Sequence, residues 1–181
     1  MTAKRLRFLK TAAPKVSRVA LLSTTPGRGG HEAQFADAEQ AAKSLRLTVR
    51  SYRATTLNEL EAVLAALVSD GMDGLLNFQG AVGILNRQLI VDFAAKNRLP
   101  AIYQSAFFVE VGGLMAWAPE QEGQYREAAR YVDKILRGAS PGNLPIRYPG
   151  RYYLTINKSA ARGLGLLLPP ALVAKADRVL P

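Results

Sequence analysis

The chain of 181 residues contains no cysteine. Thiol catalysis, disulfides, and zinc or iron–sulfur centres held by Cys are therefore excluded. It has a single histidine, His31, with no neighbouring ligand set, so a histidine-based metal centre is not expected. Acidic residues are scarce beside basic ones, and the formal net charge is +10. No apolar run approaches the roughly 18 residues a membrane-spanning helix needs. The longest apolar patch, Leu164 to Leu172, is broken by Pro169 and Pro170. The opening segment, MTAKRLRFLK, is charged and has neither an apolar stretch nor a small-residue cleavage site, so it does not read as a secretory signal.

What is present is a globular composition, 49% hydrophobic, long enough for one substantial core. The basic residues cluster near the start at Lys4, Arg5, Arg7, Lys10, Lys15, Arg18 and Arg28. They are not interleaved with aromatics of the kind that stack on bases, so nucleic acid is not an expected partner. A solvated basic surface accounts for them.

Apolar runs and amphipathic stretches alternate regularly from residue 15 to 105. Val19 to Leu22, Thr48 to Tyr52, Gly74 to Phe78 and Ala101 to Tyr103 read as strands. Helices are expected between them. One carries Phe35, Ala38, Ala41, Ala42 and Leu45; a second opens at the capping-box spacing Thr56 to Glu59 and stops at Gly71. A third carries Leu85, Leu89 and Phe93 and ends at Asn97. Such repeated β–α units specify an α/β fold with a parallel, doubly wound sheet. Leu114 to Trp117 is a further strand, and Glu120 to Arg137 is a long amphipathic helix closed by Gly138. Arg151 to Ile156 alternates like a strand, Asn157 can cap a short helix, and Pro169-Pro170 opens a last helix over Ala171 to Val179.

Catalytic constellations are missing. There is no G-x-S-x-G elbow, no Walker A loop and no pair of presented carboxylates, so an enzyme is not expected. His31 is expected to begin a helix at the surface. The segment Thr25-Pro26-Gly27-Arg28-Gly29-Gly30, between a strand and a helix start, is a candidate anion-binding turn. In open α/β sheets ligands sit at the carboxyl ends of the strands. There the chain places Ser23, Thr24, Thr25, Gln79, Gly80, Gln104, Ser105 and Trp117, a set of hydroxyls, amides and one indole suited to hold a small polar or aromatic solute. No metal or cofactor is called for.

Several blocks resemble one family. They are Pro14-Lys15-Val16-Ser17-Arg18-Val19-Ala20-Leu21-Leu22, Ala94 through Tyr103, Phe108 through Met115, Tyr131 through Ala139, and the tail from Ile156-Asn157-Lys158 to Ala176-Asp177. In order, and over nearly the whole chain, they resemble the ABC-transporter substrate-binding proteins related to tryptophan-binding lipoproteins. The resemblance implies a type I periplasmic-binding fold, in which two α/β lobes close on a solute. This chain would supply the second lobe (residues 1–118), a returning helix and connector that in the family packs on the first lobe (119–150), and a final strand with helices packing back on the main lobe (151–181). It implies a solute receptor of an importer, with a small solute such as an amino acid and an ABC permease as partners. It also implies a periplasmic location, although without a signal segment the chain as it stands would remain cytoplasmic. The sequence departs from the family at Ser23-Thr24-Thr25-Pro26, Phe78-Gln79-Gly80 and Ala116-Trp117-Ala118, so the solute is not carried over. An interaction domain that has lost solute binding is the alternative. In either case the Tyr125 to Leu136 helix face is expected to be bare and to favour a homodimer.

Overall fold

The computed structural model describes residues 1–25, 31–78 and 80–181. Seven strands form one sheet: β1 (Arg18–Ser23), β2 (Thr48–Arg53), β3 (Gly74–Asn77), β4 (Ala101–Tyr103), β5 (Met115–Pro119), β6 (Tyr152–Asn157) and β7 (Arg178–Leu180). Their order is β2-β1-β3-β4-β5-β6-β7. The first five strands are mutually parallel; β6 runs antiparallel to β5, and β7 runs parallel to β6. The chain steps outward from β1 to β2, then back across β1 to β3. The carboxyl ends of β1 and β3 therefore flank a topological switch point, where such sheets open a crevice.

Strands β1, β3 and β4 are apolar along almost their whole length because helices cover both faces. On one face α1 (Thr2–Ala12) and α2 (Glu32–Leu45) pack Leu6, Leu9, Phe35 and Ala38 against Val19, Leu21, Leu76 and Ile102. On the other, α3 (Leu57–Ser69), α5 (Arg87–Lys96) and α6 (Phe107–Glu110) pack Leu60, Leu64, Leu67, Ile90 and Phe108 against Leu22, Leu75 and Tyr103. Edge strand β2 is mostly solvated and carries Arg50 and Arg53 outward.

Local signals act as their chemistry requires. The Thr56 hydroxyl accepts from the Glu59 N–H at 3.2 Å, and the Glu59 carboxylate accepts from the Thr55 N–H at 2.6 Å. Gly71 follows α3 with φ +66°, and Gly138 follows α7 (Gln121–Leu136) with φ +96°. The Asn157 side chain accepts from Ala160 N–H at 3.0 Å and caps α8 (Lys158–Gly163).

Three sequence expectations are corrected. The helix through Leu85 and Phe93 is two helices, α4 (Ala81–Leu85) and α5, with a break at Asn86, whose side-chain amide donates to Val82 O at 2.9 Å. The last helix does not reach Val179. It stops as α9 (Pro170–Val173), and Val179 instead pairs with Ile156 in the sheet. Strand pairing wins because the Asp177 N–H donates to Leu154 O and the Asp177 carboxylate accepts from Leu154 N–H, locking the tail to β6. His31 does begin a helix, as expected, yet it is not a surface residue: it is 7% exposed. The basic opening segment, read above only for its charge, is the amphipathic helix α1.

Candidate ligand-binding cleft

At the carboxyl end of β1 the Ser23 hydroxyl and His31 Nδ1 form a buried hydrogen bond of 2.6 Å. The imidazole stacks on Phe78 at 5.0 Å, and Phe35 meets the Phe78 ring edge-on at 5.1 Å. Burial holds the His31 pKa below its ordinary value, and the nearby Arg53 charge acts in the same direction. Arg53 itself lies 5.0 Å over the Phe35 ring and pairs with Glu32 at 3.0 Å. The result is a neutral imidazole set in an aromatic wall. Ser23 is buried and Glu32 is engaged by Arg53, so the pair lacks the exposed nucleophile and orienting carboxylate of a hydrolytic site. Among the described residues no group of three His, Cys, Asp or Glu side chains is placed to hold a metal ion.

Beneath this wall, on the opposite face of the sheet, lie two buried polar side chains with unused hydrogen-bonding groups. Asn77, the last residue of β3, is 0% exposed, and neither its amide oxygen nor its amide nitrogen has a partner. The Thr24 hydroxyl is likewise buried and unpartnered. Gly80 lies hard against the Thr24 backbone: a Cβ there would come within 2.4 Å of Thr24 C and O. Gly83 in α4 lies against the Thr24 side chain, with its hydroxyl 2.5 Å from where a Cβ would be. A buried polar atom left without a partner costs about 1–3 kcal/mol.

The remaining candidates are dispersed. At the end of β4 the Gln104 amide donates to Gln34 of α2 at 2.7 Å. Ser105 accepts from Phe107 N–H at 3.3 Å and serves the start of α6. Thr25 is half-buried beside Thr24. Trp117 belongs to the core under α1, with its ring stacked on Tyr152 at 4.6 Å and the Lys4 ammonium 4.6 Å from its centre. Gln79, and residues 26–30 of the expected anion-binding turn, lie outside the described residues. The structure thus joins Thr24 to Gly80, and Ser23 to His31, and leaves Ser105 and Trp117 apart from them. The sequence reading placed His31 at the surface, named Phe78 only as a departure from the family, and passed over Gln34 and Asn77. Asn77 carried a legible signal, because an amide inside the otherwise apolar run Gly74 to Phe78 requires either a partner or a purpose.

The model of the family described as ABC transporter substrate binding protein matches residues 1–180. The chain belongs to this substrate-binding family. The motif resemblance described above is therefore shown, and so is the α/β architecture. Among solved structures, it is similar to an ABC domain in complex with L-Trp from Streptococcus pneumonia, with a TM-score of 0.91 and 20% identity, covering 99% of this chain and 60% of that one. A conserved domain protein from Vibrio cholerae gives a TM-score of 0.89 at 20% identity, with 98% of this chain and 60% of that one covered. A ligand-free, open substrate-binding protein with adhesive properties from Clostridium difficile gives 0.70 at 21% identity, with 98% and 59% covered. No curated protein sequence matches. At these identities the structural likeness establishes the fold alone, and this substrate-binding chain spans about 60% of the length of those structures. Among the described residues no helix is long and apolar enough to cross a membrane.

Proposed function

We propose that the chain forms one wall of the solute cleft of an ABC-type importer's receptor. The solute is small and polar or aromatic, and it is held at the strand ends when a second lobe closes over it. The observation that carries this reading is the pair of buried, unpartnered side chains, Asn77 and Thr24, at the topological switch point. The aromatic wall of His31, Phe35 and Phe78 supports it. Ser23, Thr24, Thr25, Gln79, Gly80 and Gln104 are the proposed ligand shell, with Ser105 and Trp117, which the fold sets apart from them, proposed for its outer edge. The chain binds without making or breaking bonds, acts outside the cytoplasm, and hands its solute to an ABC permease.

Because a closed cleft needs both walls, the 181-residue chain alone binds weakly. Calorimetry with L-tryptophan should show no micromolar binding, while heteronuclear NMR at high ligand concentration should show small shifts that include Ser23–Thr25, Asn77–Gly80 and Gln104–Ser105. Micromolar binding would overturn the one-wall reading, and shifts scattered over the surface would overturn the cleft.

A second reading rests on α7. Its apolar side chains Tyr125, Ala128, Ala129, Val132, Ile135 and Leu136 are all solvent-exposed, Tyr125 by 74% and Leu136 by 82%. Together with residues 141–151 the helix borders a groove of about 670 Å³. Exposed apolar faces of this kind mark interaction sites. In the isolated chain we assign it to a homodimer.

A further inference from the structure

Arg5 is a buried cation. It is 4% exposed, and its Nε donates to Trp117 O at 2.9 Å. Among the described residues it forms no ion pair. Desolvation lowers its pKa to about 10, so the guanidinium remains charged at neutral pH. Burying a charge without a counter-ion is costly, and buried cations are ordinarily paired.

The surroundings add positive charge. The Lys4 ammonium and the Arg5 guanidinium lie 4.6 and 5.6 Å from the centre of the same Trp117 ring. Asp37, the acidic side chain that attracts Arg5, already accepts from the chain's amino group at 3.0 Å and from Thr2 N–H at 2.9 Å. One turn before Arg5, Thr2 is 1% exposed, and its hydroxyl has no partner. Residues three apart share a helix face, so Arg5 and Thr2 fall on the same side of α1. The turn that carries Thr2 sits at the carboxyl end of the sheet. Its contacts are with Trp117 near the end of β5 and with the second turn of α2, next to the Gln34–Gln104 bond.

We propose that Arg5 and Thr2 form an anion subsite that takes a carboxylate group of the bound solute. The inference rests on the cleft reading above and narrows it, since the solute must then carry a negative group. Arg5 supplies charge-assisted donors and Thr2 a hydroxyl donor, both held at fixed positions by α1. The subsite went unread in the sequence because Arg5 stood among surface-like basic residues, and only the packing of α1 separates it from them.

The test is a pair of probes equal in shape, benzoate and benzamide, titrated by NMR into the 181-residue chain. Benzoate should shift the amides of Thr2 to Leu6 and the Trp117 indole, whereas benzamide should not. Arg5→Gln should weaken benzoate roughly tenfold or more, the loss expected for one hydrogen bond to a charged group. Arg5→Lys keeps the charge but not the fork, and should lose less. Thr2→Val removes the orphan hydroxyl; it should fold with equal or greater stability and still bind benzoate more weakly, which separates ligand binding from a structural role. Equal responses to both probes, or a benzoate response unchanged in folded Arg5→Lys and Thr2→Val, would overturn the anion subsite. If those equal responses fall at Ser23, Asn77 and Gln104, the cleft reading stands without it. Silence from both probes overturns the subsite.

Discussion

Two residues at the strand ends carry measurable consequences. Asn77 is a fully buried amide with both polar atoms unpaired. Asn77→Leu removes that burden at similar volume and should raise stability by about 1 kcal/mol, seen as a higher denaturant midpoint at unchanged slope. The same substitution should reduce solute binding, the usual exchange of function for stability. His31 predicts a pH dependence. Its folded pKa lies below that of the unfolded chain because burial and the Arg53 charge disfavour the imidazolium. Between those two values the unfolded chain binds more protons, so stability rises with pH. The contribution is fully present above about pH 6.5, the unfolded value, and is lost as pH falls toward the folded one. Denaturation across roughly pH 5 to 7.5 should show this slope in the natural chain and a shallower one in His31→Gln. Identical slopes would remove His31 from the account. The sequence showed a lone histidine at a helix start. Its burial could not be read there, because it depends on Phe78, 47 positions away by the numbering, folding over the ring.

At the scale of elements, β1, β3 and β4 were legible nearly to the residue because parallel strands buried on both faces are short and uniformly apolar, and the edge strand β2 was legible from its Val and Tyr. Caps were equally legible at Thr56, Gly71, Gly138 and Asn157, since each acts within one turn of its own chain. The failures share a cause. Val179 joins β7 because β6 offers it an edge, and a three-residue strand has no period of its own. Helix α1 hides its amphipathicity under basic residues, one of which is turned inward. Helix α7 is the reverse case, with its apolar stripe plain in the sequence and uncovered in the structure. Its surface ion pairs, such as Arg126 with Glu122 and Arg137 with Asp133 at 2.9 Å, maintain the helix without hiding that stripe. Sedimentation of the natural chain should give a concentration-dependent dimer, and Val132→Glu with Leu136→Glu should give a monomer with little change in unfolding midpoint. A monomer at all concentrations in the natural chain would set the homodimer aside.

For the whole molecule, the sheet order sets the proposed place of a solute. Strand β1 lies between β2 and β3, so the chain reverses direction there, at the strand ends that carry Ser23, Thr24 and Gly80. One wall leaves a ligand half solvated, and the entropic cost of association is then met by too few contacts, which is why weak binding is expected of this chain. The net charge of +10 belongs to this scale too. It is spread over an exposed face and paired edge arginines, except at Arg5.

By itself the sequence determined the fold class, the family and the absence of thiol chemistry, because apolar periodicity, contiguous motif blocks and composition are properties of the chain as written. The tertiary structure alone decided which polar groups are buried without a hydrogen-bond partner or, for Arg5, without an ion pair. Asn77, Thr24, Thr2 and Arg5 differ from their exposed counterparts only in what distant segments place around them, and a buried polar atom acquires its cost, and its capacity to recognise a ligand, from that desolvation.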